Sequence, residues 1–412
     1  MINFKRSITT LTLILLLLRI LGFFRTLEIA YLFGAQESLD GIFLALSLVL
    51  SFYAITLKAF SEGIIPYLGK HFTQVDFLRI LGKVLLIAIT LNVILYYFAD
   101  EITCVIGPGF GEIGAQTASR SIRIFSFMVY PLLCNSLFAA YLNYTKNYNL
   151  VYVGDIIRNI ISVLLIYIWS DNVFGLVIAW FIGSWISFLY IGQKFWYKVY
   201  TTLDRAIHPG ERLKTGVIYS TLINMTIYAS VIIDKLFLSF STGGTISNFT
   251  YGNALRAIIL STFVAAASKI FLVEFTNNTS HYKKSLINTF LILTSCSIIL
   301  YLFSFSISKF FFYRGEISLV DIHTISTVLK LVALSLPFYS FYEILSQKIF
   351  SQRNYPFILR AALFLLLVKT LICYFTYDDY GLYSVLWSKI FFEIGLSISI
   401  FIYFGKQYIK IK

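Results

Sequence analysis

Apolar residues gather along this chain into runs of about 20, separated by short polar breaks, the length a helix needs to cross about 30 Å of hydrocarbon. Runs such as LTLILLLL and FILRAALFLLLV do not alternate, which excludes the alternating strands of about 10 residues that build a membrane barrel. The pattern predicts an all-α polytopic membrane protein with twelve spans: Thr9–Phe33, Gly41–Tyr67, Arg79–Phe98, Ser119–Asn143, Val151–Trp169, Val173–Phe195, Thr215–Phe240, Ile246–Phe275, Leu286–Ser308, Val328–Phe350, Pro356–Phe375 and Gly381–Phe404. The longest polar inner break, KFWYKVYTTLDRAIHPGERLK, holds a His-Pro-Gly turn and falls after the sixth span. It divides the chain into a first six-helix lobe over 1–200, a cytoplasmic linker over 201–214 and a second six-helix lobe over 215–412. Such doubled plans belong to carriers that bind substrate between two lobes and rock one against the other.

Composition agrees. Hydrophobic residues make up 58% of the 412 positions and charged residues only 13%, against roughly a quarter in soluble domains. The net charge of +13 suggests nucleic acid until its distribution is read: Lys and Arg sit mainly in loops, with no basic block beside a base-stacking module. The loops instead alternate in charge. Lys5, Arg6, Lys70, Lys146, Lys194, Lys198, Arg205, Arg212, Lys214, Lys283, Lys284, Lys348, Arg353, Lys406, Lys410 and Lys412 fall on one side, while GAQESLD, SDNVFG, STGGTISN and TYDDYG fall on the other. The positive-inside rule then puts both termini in the cytoplasm; only Lys309 and Arg314 sit outside, diluted by Glu316 and Asp321. Lys5 and Arg6 before Leu11–Leu18 imitate a signal peptide, but Arg19 and Gly22 interrupt the run and no small-residue cleavage site follows, so an uncleaved first span is expected. The four cysteines are scattered, without a CxxC or paired histidines, and predict no metal, cofactor or disulfide framework.

Ionisable residues deep in a membrane cost about 2.5–3.5 kcal/mol each on insertion scales, so they face a cavity or a partner. Arg19 and Arg25 flank the middle of the first span, with Glu28 one turn beyond, and read as an anion-binding wall or as ion-paired structure. Lys58 and Glu62 lie four apart on one helix face, with Asp40 at that span's outer mouth. Arg120 and Arg123 lie near an outer end where they can snorkel, and Asp155 and Arg158 read as a structural pair. Arg256 sits mid-depth with Asp234 on the neighbouring span as its alternative partner, while Lys235, Lys269, Lys369 and the Lys389/Glu393 pair complete the set. Cations outnumber anions, which favours phosphate or pyrophosphate as cargo, because guanidinium forks match phosphate oxygens. An integral membrane glycan enzyme is the rival class, yet no GxSxG, HExxH or Walker-type loop is present and the four histidines are dispersed.

These residues also form a resemblance. RILGFFRTLEIAYLFGAQESLD resembles the N-terminal signature of the MurJ/MviN lipid II flippases, matching at Arg19, Leu21, Gly22, Arg25, Phe33, Gly34, Ala35 and Asp40. VIGPGF (Val105–Phe110) resembles that family's APGF element, Tyr130–Pro131 and AAYLNYTKNYNL its fourth span and following loop, and GGTISNFTYGNAL its eighth span. IFSQRNYPFILRAALFLLLVKT is similar to a further segment of the second lobe. The resemblance implies a V-shaped fold of the multidrug/oligosaccharidyl-lipid/polysaccharide exporter superfamily. It also implies alternating access, with a polyprenyl-pyrophosphate-linked saccharide moved from inner to outer leaflet of the bacterial inner membrane. Arg19, Arg25, Asp40, Lys58 and Arg256 are the expected substrate-binding residues, and the substrate and the lipid bilayer are the expected partners, with a coupling ion left open. Export of an O-antigen, capsule or exopolysaccharide unit is the alternative. The chain departs from the family where a second-span Arg gives way to Phe52 and Tyr53, where Ala254 takes the place of an eighth-span Arg, and in matching twelve spans of a family that usually has two more.

Reporter fusions test the orientation: the linker over 201–214 and the C-terminus should read as cytoplasmic and residues 100–116 as external, and an external C-terminus would break the count of twelve.

Overall fold

A computed structural model of the chain describes residues 2–63, 74–144, 147–198, 213–264, 282–351 and 355–411. These form fifteen α-helices and one π turn, with no strand among the described residues. The first half comprises α1 (Ile2–Phe33), α2 (Glu37–Gly63), α3 (Gln74–Tyr97), α4 (Ala99–Ile106), α5 (Glu112–Ser126), α6 (Val129–Tyr144), α7 (Tyr148–Ile168) and α8 (Val173–Lys198). The second comprises α9 (Leu213–Leu238), α10 (Thr245–Ile259) with its π turn (Leu260–Val264), α11 (Tyr282–Leu302), α12 (Ser304–Phe312), α13 (Leu319–Ser351), α14 (Tyr355–Tyr380) and α15 (Leu382–Ile411). In hydrocarbon a backbone must satisfy its own hydrogen bonds, and a helix does so within one segment.

Eight helices are individually long and apolar enough to cross a membrane, and the bent pairs α5/α6 and α11/α12 bring the spans to ten. The other two expected spans are present as α1, set apart by Arg19, Arg25 and Glu28, and as α10 with its π turn. The chain is a multi-pass membrane protein. The rest of the eighth expected span with Lys269, linker residues 201–212 and the side chain of Glu62 lie outside the described residues.

Two departures from straight spans have local causes. The fourth expected span bends by 51° between α5 and α6, where Pro131 has no N–H to offer the carbonyl of Phe127. Within α13, Pro337 likewise leaves the carbonyl of Ala333 without its helical donor. There the neighbouring helix supplies one: Ser297 Oγ of α11 donates to Ala333 O at 2.5 Å. A proline is thus tolerated inside a span because a serine on the next helix restores the missing bond.

Within the first half, α7 packs on α8 and α1, and α2 on α5 and α6; within the second, α14 packs on α15, and α13 on α10, α11 and α15. The halves meet where α2 lies against α9 and α10, and α1 against α10. One apolar core runs through both halves, from Ile29 and Ile42 to Ile325 and Leu386, and a smaller one around Ile223, Tyr342, Leu365 and Leu396 belongs to the second half.

Replacing Ser297 with Ala should cost about 1–3 kcal/mol, the penalty of a buried carbonyl without a donor. The check is the midpoint of thermal unfolding in detergent, with Ser297→Thr close to the parent; an unchanged midpoint in Ser297→Ala would remove the explanation.

Candidate functional site

The first element of the site is the seam between the halves at the expected outer end. Helix α10 starts at Gly244 in the left-handed conformation (φ 92°), and it has no capping side chain of its own. Its first N–H groups would lack partners. Asp40 of α2 supplies them from the other half: Oδ2 accepts from Gly244 N at 2.8 Å and Ile246 N at 3.3 Å, and Oδ1 from Ser247 N at 2.7 Å and Ser247 Oγ at 2.5 Å. A Cβ at Gly244 would stand 2.7 Å from Ala35 O, so both the φ and the close approach require glycine there. Nearby, Tyr251 OH donates to Gly34 O at 2.7 Å, and Gly109 N to Ser239 Oγ at 3.1 Å. Lys235 Nζ, buried, donates to Phe43 O at 2.8 Å and to Ser47 Oγ. The motifs FGAQESLD, VIGPGF and GGTISNF therefore converge on one seam. Asp40, expected among the substrate-binding residues, is engaged here as a cap for α10.

The second element is a polar cluster on α1, α2, α7 and α8. Arg25 Nη1 donates to Asn159 Oδ1 at 2.8 Å, with its guanidinium 5.1 Å from the centre of the Trp180 ring. Arg158 pairs with Asp155 at 2.9 Å, as expected, and also lies 5.9 Å over Tyr53, whose hydroxyl it hydrogen-bonds. Arg19 stands beside this group, with Asp155, Tyr152, Arg158 and Tyr53 as its electrostatic neighbours. Arg19 Nε, Arg25 Nε and Glu28 Oε2 are buried with no hydrogen-bond partner among the described residues. Asn159, Tyr53 and Trp180 escape a search for charges alone; an Asn inside an apolar run, one residue after Arg158, is the signal that points to this wall.

The third element is an ion-pair network in the second half. Arg256 pairs with Glu393 at 2.5 Å, Lys389 with Glu393 at 3.2 Å and with Asp234 at 3.7 Å, and Lys369 with Asp234 at 2.5 Å. Lys369 also donates to Ser230 O at 2.7 Å and Ser230 Oγ at 2.6 Å. This corrects one expectation: the carboxylate against Arg256 is Glu393 of α15, because Asp234 is turned to Lys369 and Lys389. A helix position fixes depth, whereas rotation about the axis selects the partner. Tyr339 extends the network, lying under Arg256 at 5.6 Å and donating to Glu343 Oε1 at 2.9 Å. Glu343 in turn pairs with Lys58 of α2 at 3.0 Å. Lys58 thus reaches across the halves to α13. Of the five expected residues the structure sets Arg19 and Arg25 each near Arg158, puts Arg256 and Lys58 in and beside the network, and holds Asp40 at the seam.

With this geometry described, comparison with known proteins gives a consistent result. The family model for lipid II flippase MurJ matches residues 29–410. The probable lipid II flippase MurJ of Buchnera aphidicola subsp. Baizongia pistaciae (strain Bp) is 26% identical, the match covering 92% of this chain and 80% of that protein. That of Aquifex aeolicus (strain VF5) is 26% identical across 82% of this chain and 71% of its own. Among solved structures, a lipid II flippase MurJ in an inward closed conformation has a TM-score of 0.84 at 19% identity, covering 96% of this chain and 87% of that one. An inward-facing multidrug resistance MATE family transporter of the MOP superfamily has a TM-score of 0.75 at 15% identity, covering 95% and 94%. Both likenesses establish the fold.

The cross-half pair gives a direct test. Lys58→Glu should face two carboxylates across the halves and lower stability by up to about 1 kcal/mol, the range for a part-exposed pair. The double variant Lys58→Glu/Glu343→Lys should regain the parent's unfolding midpoint; equal loss in single and double variants would show that the pair's charge is irrelevant.

Proposed function

The chain belongs to the MurJ family of lipid II flippases, and from that membership we propose that it carries lipid II, a polyprenyl-pyrophosphate-linked saccharide, from the inner to the outer leaflet by alternating access. It is a transporter and not an enzyme. The bacterial cytoplasmic membrane is its place, and the alternating basic loops support an orientation with both termini cytoplasmic.

One observation carries the assignment of the binding wall: among the described residues Arg19 and Arg25 each keep a buried Nε–H without a hydrogen-bond partner and neither is in an ion pair, whereas Arg256, whose Nε is also unmet, is paired with Glu393. A buried guanidinium with an unmet donor is unfavourable by itself. A pyrophosphate removes that cost, since it brings charge and several acceptor oxygens to a fork already positioned by Asn159 and Trp180. Arg158, over Tyr53, is paired with Asp155 and so steadies this wall without adding net charge to it. The cationic cavity inferred from the sequence narrows accordingly to the first half, because Arg256, Lys369 and Lys389 face carboxylates.

The two ends of α2 suit an alternating cycle. Asp40 and Lys58 are 18 residues apart, about 27 Å along a helix. At one end, Lys58–Glu343 is a part-exposed pair of the kind worth about 0–1 kcal/mol. At the other, four hydrogen bonds to a buried carboxylate hold α10, and bonds to a charged group contribute about 1.5–3 kcal/mol each. The inner end therefore opens readily to admit substrate, and the outer end opens only when bound pyrophosphate changes the balance on the Arg wall.

Arg25→Ala and Arg19→Ala should each weaken substrate binding by about 10- to 100-fold, the equivalent of one charged hydrogen bond. Both should fail to rescue a strain depleted of its lipid II flippase while reaching normal membrane abundance, with Lys at either position rescuing in part. Normal rescue by both Ala variants would sink the binding-wall assignment, and rescue of a polysaccharide-flippase mutant in place of the depleted strain would redirect the substrate.

A further inference from the structure

A groove on the outside of the first half takes no part in the transport reading. It is an open depression of about 490 Å³ between α3, α5 and α8, and its lining includes Tyr96, Arg120, Arg123, Phe127, Phe174 and Phe181. The bend between α5 and α6 shapes it: Phe127 sits at that corner, 43% exposed, with its ring edge-on to Tyr96 at 5.8 Å. The opposite face of α5 is packed on α2, where Gly41 abuts Gly114 and Ala118. The groove therefore opens on the side of α5 turned away from α2.

Its depth can be read from the aromatics around it. Tyr96 and Tyr97 end α3, Tyr167 and Trp169 end α7, and all four are exposed. Exposed Tyr and Trp at helix ends mark the level of lipid headgroups. Tyr96 belongs to both this belt and the groove, which Phe174, in the first turn of α8, also lines. Arg120 and Arg123 are thus presented where headgroup phosphates lie.

Charge and shape then select an occupant. Arg120 is exposed and has no ion pair among the described residues. Arg123 lies three residues on, on the same helix face. Its guanidinium is steadied by one contact to Asp100 Oδ2 at 2.5 Å, which leaves other N–H donors of its five. Asp100 also accepts from Ser119, so this acid is already engaged on both oxygens. Behind the two guanidiniums the walls are phenyl rings, suited to acyl chain and not to water.

We propose that this groove binds an anionic phospholipid of the leaflet it faces, with Arg120 and Arg123 on the headgroup phosphate and the acyl chains against Phe127, Phe174 and Phe181. The assignment stands on the groove and the aromatic belt and does not depend on what the protein transports.

Native mass spectrometry of the full chain in detergent, titrated with dioleoylphosphatidylglycerol and with dioleoylphosphatidylcholine, tests it. Phosphatidylglycerol should bind first and more tightly. Arg120→Gln should weaken that first event about five-fold, the worth of roughly 1 kcal/mol per basic residue at an anionic lipid surface, and Arg120→Glu should abolish the preference with an unchanged elution profile. Arg314→Gln, which alters another exposed basic residue at the same end, should bind like the parent. Equal weakening by Arg314→Gln would reduce the site to general surface charge and overturn the proposal. Displacement of the lipid by millimolar inorganic phosphate would overturn it in favour of a bare anion site, and displacement by undecaprenyl pyrophosphate, sensitive to Arg120→Gln, in favour of an exit site for transported lipid.

Discussion

The carboxylate of Asp40 at the start of α10 is the contact on which the arrangement of the two halves depends. A helix beginning inside a protein leaves N–H groups unmet and a partial positive charge at its end. Gly244 permits the tight turn into α10 but, having no side chain, cannot cap it, so the cap comes from α2. Each half supplies what the other lacks: the first has the acid, the second the donors. The contacts of Tyr251 with Gly34 and of Lys235 with Phe43 then follow from the register that this cap sets.

A second constraint is the cost of charge in hydrocarbon, which the two halves meet differently. In the second half, Arg256, Lys389 and Lys369 alternate with Glu393 and Asp234, so that each cation has a carboxylate. Such a network resists change, since removing one member strands another; breaking a buried pair costs about 3–5 kcal/mol. In the first half, among the described residues, Arg25 has an amide and an indole face but no ion pair, and Arg19 keeps an unmet Nε. Stability is concentrated on one side and capacity for an anion on the other.

Helix α2 ties these regions together. Its outer end holds α10, its middle lies along α9 and presents Tyr53 to Arg158, and its inner end reaches Glu343. From Glu343 the contacts continue through Tyr339 and Arg256 into the network of the second half. Lys58 is thus joined through Glu343 and Tyr339 to Arg256, and Lys235 meets α2 at Phe43 and Ser47, within two turns of Asp40.

The sequence by itself determined the spans, because lipid is a uniform solvent and a run of about 20 apolar residues has one stable answer in it. It also determined which residues carry charge at depth, and the local pairs Asp155/Arg158 and Lys389/Glu393, since neighbours three or four apart on a helix meet wherever that helix goes. What it left open was rotation. Helices such as α1, α11 and α13 have no one-sided apolar face, so periodicity does not say which face meets which neighbour. For that reason the partner of Arg256 lay 137 residues away at Glu393 and not at Asp234, that of Lys58 at Glu343, and the donors for Asp40 more than 200 residues on in α10. Only the tertiary structure could decide those pairings, because they depend on how helices distant in sequence turn toward one another, and hydropathy along a chain contains no term for that.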